Sequence, residues 1–161
     1  MRKTAASGYV LAALLGGCAG ARPGTEAAAP DRPVTVTVFG PTAPANAPGQ
    51  SLYLVRYEIA PATRLQPHHH EGAQIGMVES GELTYHVLTG AVPVYRRGAD
   101  GAPVHERTVV AGAVDRLTAG EWVVETPDAH HWAANEGTEP LVIYTATLLR
   151  EGAPLATPDP P

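Results

Sequence analysis

Residues 67–81 have the sequence PHHHEGAQIGMVESG, and residues 127–135 have the sequence PDAHHWAAN. These two stretches contain five of the seven histidines in the chain. Clusters of imidazoles are typical of metal sites, because a neutral imidazole is a common ligand of transition metals. The two stretches lie far apart in the sequence, so only a folded chain can bring them together.

The spacing within each stretch predicts which side chains share a site. On a β-strand, residues i and i+2 point the same way, so His68 and His70 face one spot and His69 faces the opposite side. A bend at Gly72 allows the side-chain oxygen of Gln74 to return to that spot. The second stretch supplies a third imidazole, and three imidazoles with one oxygen donor suit Fe, Mn, Ni, Cu or Zn.

The rest of the folded region has the period of β-strands. In the first run, Val34, Val36 and Val38 alternate with Thr35 and Thr37. Gly, Pro, Asn or Asp separates one run from the next, and no window predicts an amphipathic helix. Strand-like runs cover residues 34–39, 52–59, 82–87, 92–97, 104–110, 121–125 and 141–149. This pattern predicts an all-β antiparallel sandwich or barrel.

The first histidine stretch resembles a motif of the cupin superfamily. That motif runs Gly-x5-His-x-His-x3/4-Glu-x6-Gly, and this chain keeps its spacing with His68, His70 and Gly81. Two positions depart from the motif, because Ala62 stands at the opening Gly and Gln74 stands at the Glu.

The second stretch resembles the other cupin motif, Gly-x5-Pro-x-Gly-x2-His-x3-Asn. Gly120, His131 and Asn135 keep the register, whereas Pro127 comes one place late and Asp128 replaces the second Gly. Both motifs in order, within an all-β pattern, imply the cupin jelly roll, a double-stranded β-helix barrel that holds a metal at its mouth.

The resemblance implies that His68, His70, Gln74 and His131 bind one divalent transition metal. Fe or Mn is favoured, with Zn, Ni and Cu as alternatives. A neutral Gln74 in place of Glu leaves more positive charge on the site, which weakens metal affinity and favours an anionic ligand. Alternatively, Gln74 does not bind the metal, which leaves a three-histidine site with open positions.

Composition and charge exclude several classes of protein. The 161 residues include 16 acidic and 11 basic ones, and without Arg2 and Lys3 only nine basic residues remain. A nucleic-acid-binding domain needs a basic face, so we expect no nucleic-acid partner. The single cysteine excludes an internal disulfide and a cysteine-rich structural zinc site.

The N-terminus predicts an exported, lipid-anchored protein. Residues 1–17 combine a positive start with a short apolar segment and small residues, as a signal peptide does. The small residues before Cys18 resemble the lipobox of bacterial lipoproteins, in which that cysteine is lipidated. We therefore expect residues 18–32 to form a flexible tether, with the protein on the periplasmic face of the outer membrane or on the cell surface.

The remaining boundaries and the function follow from these assignments. Residues 33–150 form the predicted cupin domain, and the proline-rich residues 151–161 are predicted to be loose. The resemblance implies a metal-dependent, dioxygenase-like enzyme acting on a small oxygen-rich or aromatic molecule, and a homodimer. The alternative is a non-catalytic cupin that binds or senses a metal or ligand. Glu79, Glu125 and Arg64 remain equal candidates for an acid or base, so no catalytic residue is assigned.

Overall fold

The computed structural model describes residues 33–160, so the predicted signal peptide, Cys18 and the whole predicted tether lie outside the described residues. The described chain is built of β-strands joined by turns. No helix within residues 33–160 is long and apolar enough to cross a membrane. The strands are β1 (Val34–Thr42), β2 (Gln50–Ile59), β3 (Thr63–Arg64), β4 (His68–His69), β5 (Ala73–Ser80), β6 (Glu82–Val87), β7 (Ala91–Arg97), β8 (Pro103–Val110), β9 (Val114–Thr118), β10 (Trp122–Glu125), β11 (His131–Asn135), β12 (Leu141–Arg150) and β13 (Thr157–Pro158).

Two antiparallel sheets form the fold, which confirms the all-β prediction. One sheet has seven strands in the order β1-β2-β12-β5-β10-β7-β8. The other has the order β13-β4-β11-β6-β9, and β3 pairs with β11 beside that path. Neighbouring strands are often distant in sequence, so the sheets bring the two histidine stretches together.

The space between the sheets is filled by alternating apolar side chains. Ile59, Val78, Tyr85, Leu117 and Leu141 are all buried within this core. Their burial removes apolar surface from water, which is the dominant favourable contribution to folding. The core therefore does not depend on the histidines.

Along β12 the buried face changes from apolar to polar. Leu141 and Ile143 contact the core, whereas Thr145 and Thr147 continue the same face as buried hydroxyls. Buried hydroxyls need hydrogen-bond partners, so a polar environment is required at this end of the barrel. The histidines lie at this end.

Strand β5 was not among the sequence-predicted strands. Its buried face carries Gln74, Gly76 and Val78, and its other face carries the exposed Ile75. A polar residue and a glycine on the buried side, with an isoleucine on the exposed side, hide the alternation that predicts a strand. The segment nevertheless forms the centre of the seven-stranded sheet, between β12 and β10.

The C-terminal segment differs from the loose tail predicted for residues 151–161. Strand β13 pairs with β4, with Thr157 opposite His69, and the amide of Asp159 donates to the carbonyl of Pro67 at 3.0 Å. A proline-rich segment is extended, and an edge strand offers unpaired backbone groups, so the two fit together. The folded unit therefore continues past residue 150.

Candidate metal centre

Three histidines meet where β4 and β11 lie side by side. His68 is paired in register with His131, and His70 follows β4 directly. The ring centroids are 4.4 Å apart for His68 and His131, 5.3 Å for His68 and His70, and 5.5 Å for His70 and His131. One nitrogen from each ring lies within 4.8 Å of the others, which is close enough for one ion. The structure thus places these three predicted ligands together.

Each of the three imidazoles is held by a backbone carbonyl through its Nδ1 atom. The bonds run from His68 to Gln66 O (2.7 Å), from His70 to Leu155 O (2.7 Å) and from His131 to Ala129 O (3.2 Å). A carbonyl oxygen only accepts, so each Nδ1 carries the proton and each Nε2 keeps its lone pair. Metal-binding histidines are oriented in this way, with the second nitrogen donating to an oxygen.

Gln74 is positioned differently from the predicted ligand. Its Oε1 accepts a hydrogen bond from Thr147 Oγ1 at 2.7 Å, and its Nε2 donates to Glu125 Oε2 at 2.6 Å. The same Nε2 lies 2.9 Å from His70 Nε2. The amide nitrogen, and not the oxygen, therefore faces the imidazoles, because Thr147 occupies the oxygen and Glu125 requires a donor. This arrangement corresponds to the alternative in which Gln74 leaves a three-histidine site.

Glu125 is the site residue that sequence reasoning did not single out. Its carboxylate is buried, and Oε1 accepts a hydrogen bond from Tyr85 at 2.7 Å. Oε2 lies 3.3 Å from His70 Nε2, and Oε1 lies 3.4 Å from His131 Nε2. A signal was present in the sequence, since Glu125 shares the buried face of β10 with Val123, and an acidic residue on a buried face needs a partner.

The electrostatics keep the site ready for a cation. Burial, together with the neighbouring His131, lowers the pKa of His68 to about 4, so this imidazole is neutral at pH 7. Burial alone would raise the pKa of Glu125, but His131 and His70 outweigh it, and the pKa falls below its ordinary value. For Tyr85, burial and the adjacent Glu125 both raise the pKa, so the phenol stays a donor. Burial alone would lower the pKa of His70, but the hydrogen bond and charge of Glu125 raise it above its ordinary value. An ionised carboxylate thus faces the imidazoles.

A cavity of about 280 Å³ opens beside the imidazoles. Most of its wall is apolar, and Tyr57 and Tyr85 add aromatic surface. Within residues 33–160, no Arg or Lys lines this cavity. The apolar wall residues include Val34, Ile59, Leu65, Leu83, Val123 and Ile143. The geometry therefore suits a compact apolar or aromatic molecule, with the imidazoles at one side.

The neighbouring histidines, His69 and His130, form a second cluster at the rim. Their rings stack with centroids 4.5 Å apart, and each Nδ1 lies 2.8 Å from the same oxygen, Asp159 Oδ1. Asp159 belongs to the C-terminal segment, whose Ala156 and Pro158 line the cavity. The cluster thus fastens this segment across the cavity mouth.

Other residues noted in the sequence lie outside the centre. Asn135 is buried and structural, since its amide donates to Ile59 O at 2.9 Å and to Glu139 O at 2.8 Å. The guanidinium of Arg64 stacks over Trp132 at 3.8 Å from the ring centroid. Neither Arg64 nor Glu79 lines the cavity, so of the three acid or base candidates only Glu125 is at the site.

Comparison with known proteins agrees with this architecture. A cupin 2 domain-containing protein from Halorhodospira halophila matches with a TM-score of 0.51 and 16% identity, over 80% of this chain and 70% of that one. The chain has the cupin fold. A protein with a double-stranded β-helix domain from Klebsiella pneumoniae subsp. pneumoniae matches with a TM-score of 0.49 and 20% identity, over 87% and 90% of the two chains. No protein-family model matches the sequence, and no curated protein matches it. The likeness to the Halorhodospira halophila protein, at 16% identity, shows the fold alone, so function is argued from the site.

Proposed function

We propose that this cupin-fold protein holds one divalent transition metal between His68, His70 and His131, and that it is a metal-dependent, dioxygenase-like enzyme. The observation that carries the proposal is the common orientation of the three rings. Each Nδ1 proton is committed to a backbone carbonyl, and the three Nε2 atoms are grouped around one point. Imidazole ligands suit Fe, Zn, Ni and Cu, and the resemblance to the cupin motifs favours Fe or Mn. A bound iron ion supplies one-electron exchange with dioxygen.

The cavity narrows the substrate class. Its apolar wall has no cationic side chain among the described residues, so a carboxylate or phosphate group has no partner there apart from the metal. Buried hydroxyls without partners are costly, which disfavours a sugar-like molecule. Of the two substrate classes expected from the sequence, the aromatic one fits this wall better than the oxygen-rich one. Tyr57 and Tyr85 offer ring faces to such a molecule.

Metal analysis of His70→Ala tests the metal centre. The wild type is expected to bind one equivalent of Fe²⁺ or Mn²⁺ under anaerobic conditions, and His70→Ala is expected to lose most of this affinity. His105→Ala is a matched control, since His105 is exposed and bonds Thr108 away from the cavity. Equal metal content in wild type and His70→Ala, in protein that remains folded, would refute the proposed centre.

Oxygen uptake separates the enzyme from a binding protein. Iron-loaded protein is mixed with neutral aromatic compounds, such as catechols and other phenols, while dissolved oxygen and product formation are recorded. Substrate-dependent oxygen consumption that His70→Ala abolishes supports the enzyme. Saturable binding of the same compounds with no turnover would instead favour the binding or sensing cupin.

We also propose that the chain is exported and anchored to a bacterial membrane through Cys18. The support is sequence alone: a positive start, a short apolar segment, and small residues before the single cysteine. Labelled fatty acid should be incorporated into the wild type and not into Cys18→Ser, which should move to the soluble fraction. If the wild type incorporates no label in its host, the anchor is wrong.

A further inference from the structure

We infer that Glu125 supplies the acidic metal ligand of this cupin site, and that Gln74 serves as the hydrogen-bond donor that orients it. The carboxylate has thus been exchanged between neighbouring strands relative to the motif. This inference rests on the proposed metal centre, and the experiment below separates the failure of one from the failure of the other.

The distances place the carboxylate in ligand positions. Ligand atoms bound at about 2.1 Å to one tetrahedral or octahedral ion lie about 3.0–3.4 Å apart. Each oxygen of the carboxylate meets this condition with a different histidine, Oε2 at 3.3 Å from His70 Nε2 and Oε1 at 3.4 Å from His131 Nε2, as a bidentate ligand would. Direct N–H···O hydrogen bonds are shorter, usually 2.7–3.2 Å. Moreover, the Nδ1 protons of both rings already belong to backbone carbonyls.

This juxtaposition favours a bound cation, because acceptor atoms outnumber donors around it. Imidazole lone pairs and a carboxylate are all acceptors, and acceptors that face one another in a buried site lack a donor. The amide of Gln74 provides one donor, shared between Glu125 and His70, and the hydroxyl of Tyr85 provides a second donor to Glu125. A divalent ion satisfies the remaining lone pairs together, and it displaces only the contact between Gln74 and His70.

The backbone explains how position 125 can replace position 74. Strands β5 and β10 are neighbours, and Gln74 is directly opposite Glu125 in their register. Directly opposite residues on one face have Cβ atoms about 4.5–5.5 Å apart, so side chains of this length reach the same point. Exchanging Glu and Gln across this pair keeps the charge and the polar atoms of the site. The carboxylate then comes from β10 and the amide from β5.

The remaining contacts of the carboxylate show that it is held in a fixed orientation. Tyr85 donates to Oε1 and Gln74 donates to Oε2, while Thr147 fixes the opposite end of the Gln74 amide. All four side chains are buried. Ligating carboxylates are commonly oriented by such hydrogen bonds, and the loss of one typically costs 10- to 100-fold in metal affinity or activity.

A charge-exchange experiment tests the assignment, using Co²⁺ titrated into the full-length protein. Affinity and the visible absorption of bound Co²⁺ are recorded for wild type, Glu125→Gln, Gln74→Glu and the double exchange. We expect Glu125→Gln to bind Co²⁺ at least tenfold more weakly, with altered absorption. The double exchange should recover at least part of this loss, because a carboxylate again faces His70 from position 74. Thermal unfolding of the metal-free proteins confirms that each variant is folded.

Co²⁺ affinities separate a wrong ligand assignment from a wrong metal centre. Co²⁺ affinity of folded Glu125→Gln within threefold of the wild type overturns the assignment, because no ligand charge has been lost. Equal loss of Co²⁺ affinity in Glu125→Gln and in the double exchange also overturns the assignment, since residue 125 then acts through packing and not through its charge. A wild type that binds no Co²⁺, or a His70→Ala variant that binds it normally, refutes the metal centre itself.

Discussion

Ala62 has a backbone conformation that L-residues rarely adopt, with a φ of +54°. A non-glycine residue in this region carries about 1–2 kcal/mol of strain. The position corresponds to the opening Gly of the first cupin motif. Ala62 is therefore strained at the position where the motif has a glycine.

Replacing Ala62 with Gly is therefore expected to stabilise the protein. Relief of strain is opposed by the added freedom of the unfolded chain, which is worth about 0.4–1 kcal/mol, so the net gain is about 0–1.6 kcal/mol. Urea unfolding measures the difference. Ala146→Gly is the control, because Ala146 is exposed in β12 and a glycine in a strand should destabilise. A loss of stability in Ala62→Gly would contradict the prediction.

Residue spacing predicted the imidazoles but not the orientation of Gln74. His68 and His70 share a face because of the strand period alone, which is a local property. The Gln74 amide is set by Glu125 and Thr147, which are 51 and 73 residues away in sequence. No pattern within the motif specifies those partners. Only the three-dimensional structure shows that the Gln74 oxygen points to Thr147 and not to the imidazoles.

Among the elements that carry none of the three histidines, the C-terminal segment contacts the site through the backbone. The carbonyl of Leu155 orients His70, and the carboxylate of Asp159 accepts hydrogen bonds from His69 and His130 at the rim. Burial alone would raise the pKa of Asp159, but the hydrogen bonds from His69 and His130 lower it below its ordinary value, so the carboxylate is ionised at neutral pH.

Asp159→Ala is expected to loosen this segment and weaken metal binding. Without the carboxylate, the segment keeps the two-residue pairing of β13 and the backbone bond from residue 159 to Pro67, and the carbonyl of Leu155 is less well held against His70. We expect faster hydrogen exchange at residues 153–159 and roughly tenfold weaker Co²⁺ binding, the scale for losing an orienting contact. Asp100→Asn, at an exposed hairpin tip, is the control. Unchanged exchange and affinity in Asp159→Ala would show that β13 alone holds the segment.

The strands differed in how well the sequence predicted them. In β12 the alternation of Leu141, Ile143 and Leu149 with less buried residues is clear. In β5 the buried positions were given to Gln74 and Gly76, which serve the site and not the core. Sequence patterning therefore predicted β10 and β12, whose alternation is intact, and missed β5, where a polar residue and a glycine occupy buried positions.

At the scale of the whole molecule, Arg107 joins the two sheets. It extends from β8, in the seven-stranded sheet, to Asp115 in β9 of the other sheet, and it also binds Glu121 ahead of β10. Burial alone would raise the pKa of Glu121, but the hydrogen bonds from Arg107 and Thr118 lower it. The pairing thus contributes stability above the ordinary carboxyl pKa, and this contribution is lost as the pH falls through the lowered value.

Glu121→Gln is accordingly expected to destabilise the protein by about 0.5–1 kcal/mol at pH 7, since half-exposed pairs are screened by solvent. The difference from wild type should shrink as the pH falls from the ordinary carboxyl pKa through the lowered pKa of Glu121. Denaturant unfolding across this range measures both effects. Glu106→Gln is the control. Glu106 pairs with Arg96 in an ion pair more exposed than that of Arg107 and Glu121, so its loss should change stability little. A Glu121→Gln deficit that is constant with pH would exclude the ion pair as its cause.

The hydrogen bond from His70 to Leu155 also sets the order in which the site can be assembled. During synthesis the ribosome reaches Leu155 after it has made His68, His70, Glu125 and His131. A nascent chain that stops short of this residue contains every imidazole but lacks the carbonyl that turns His70 into place. The proposed metal centre is therefore complete only after this segment has been synthesised.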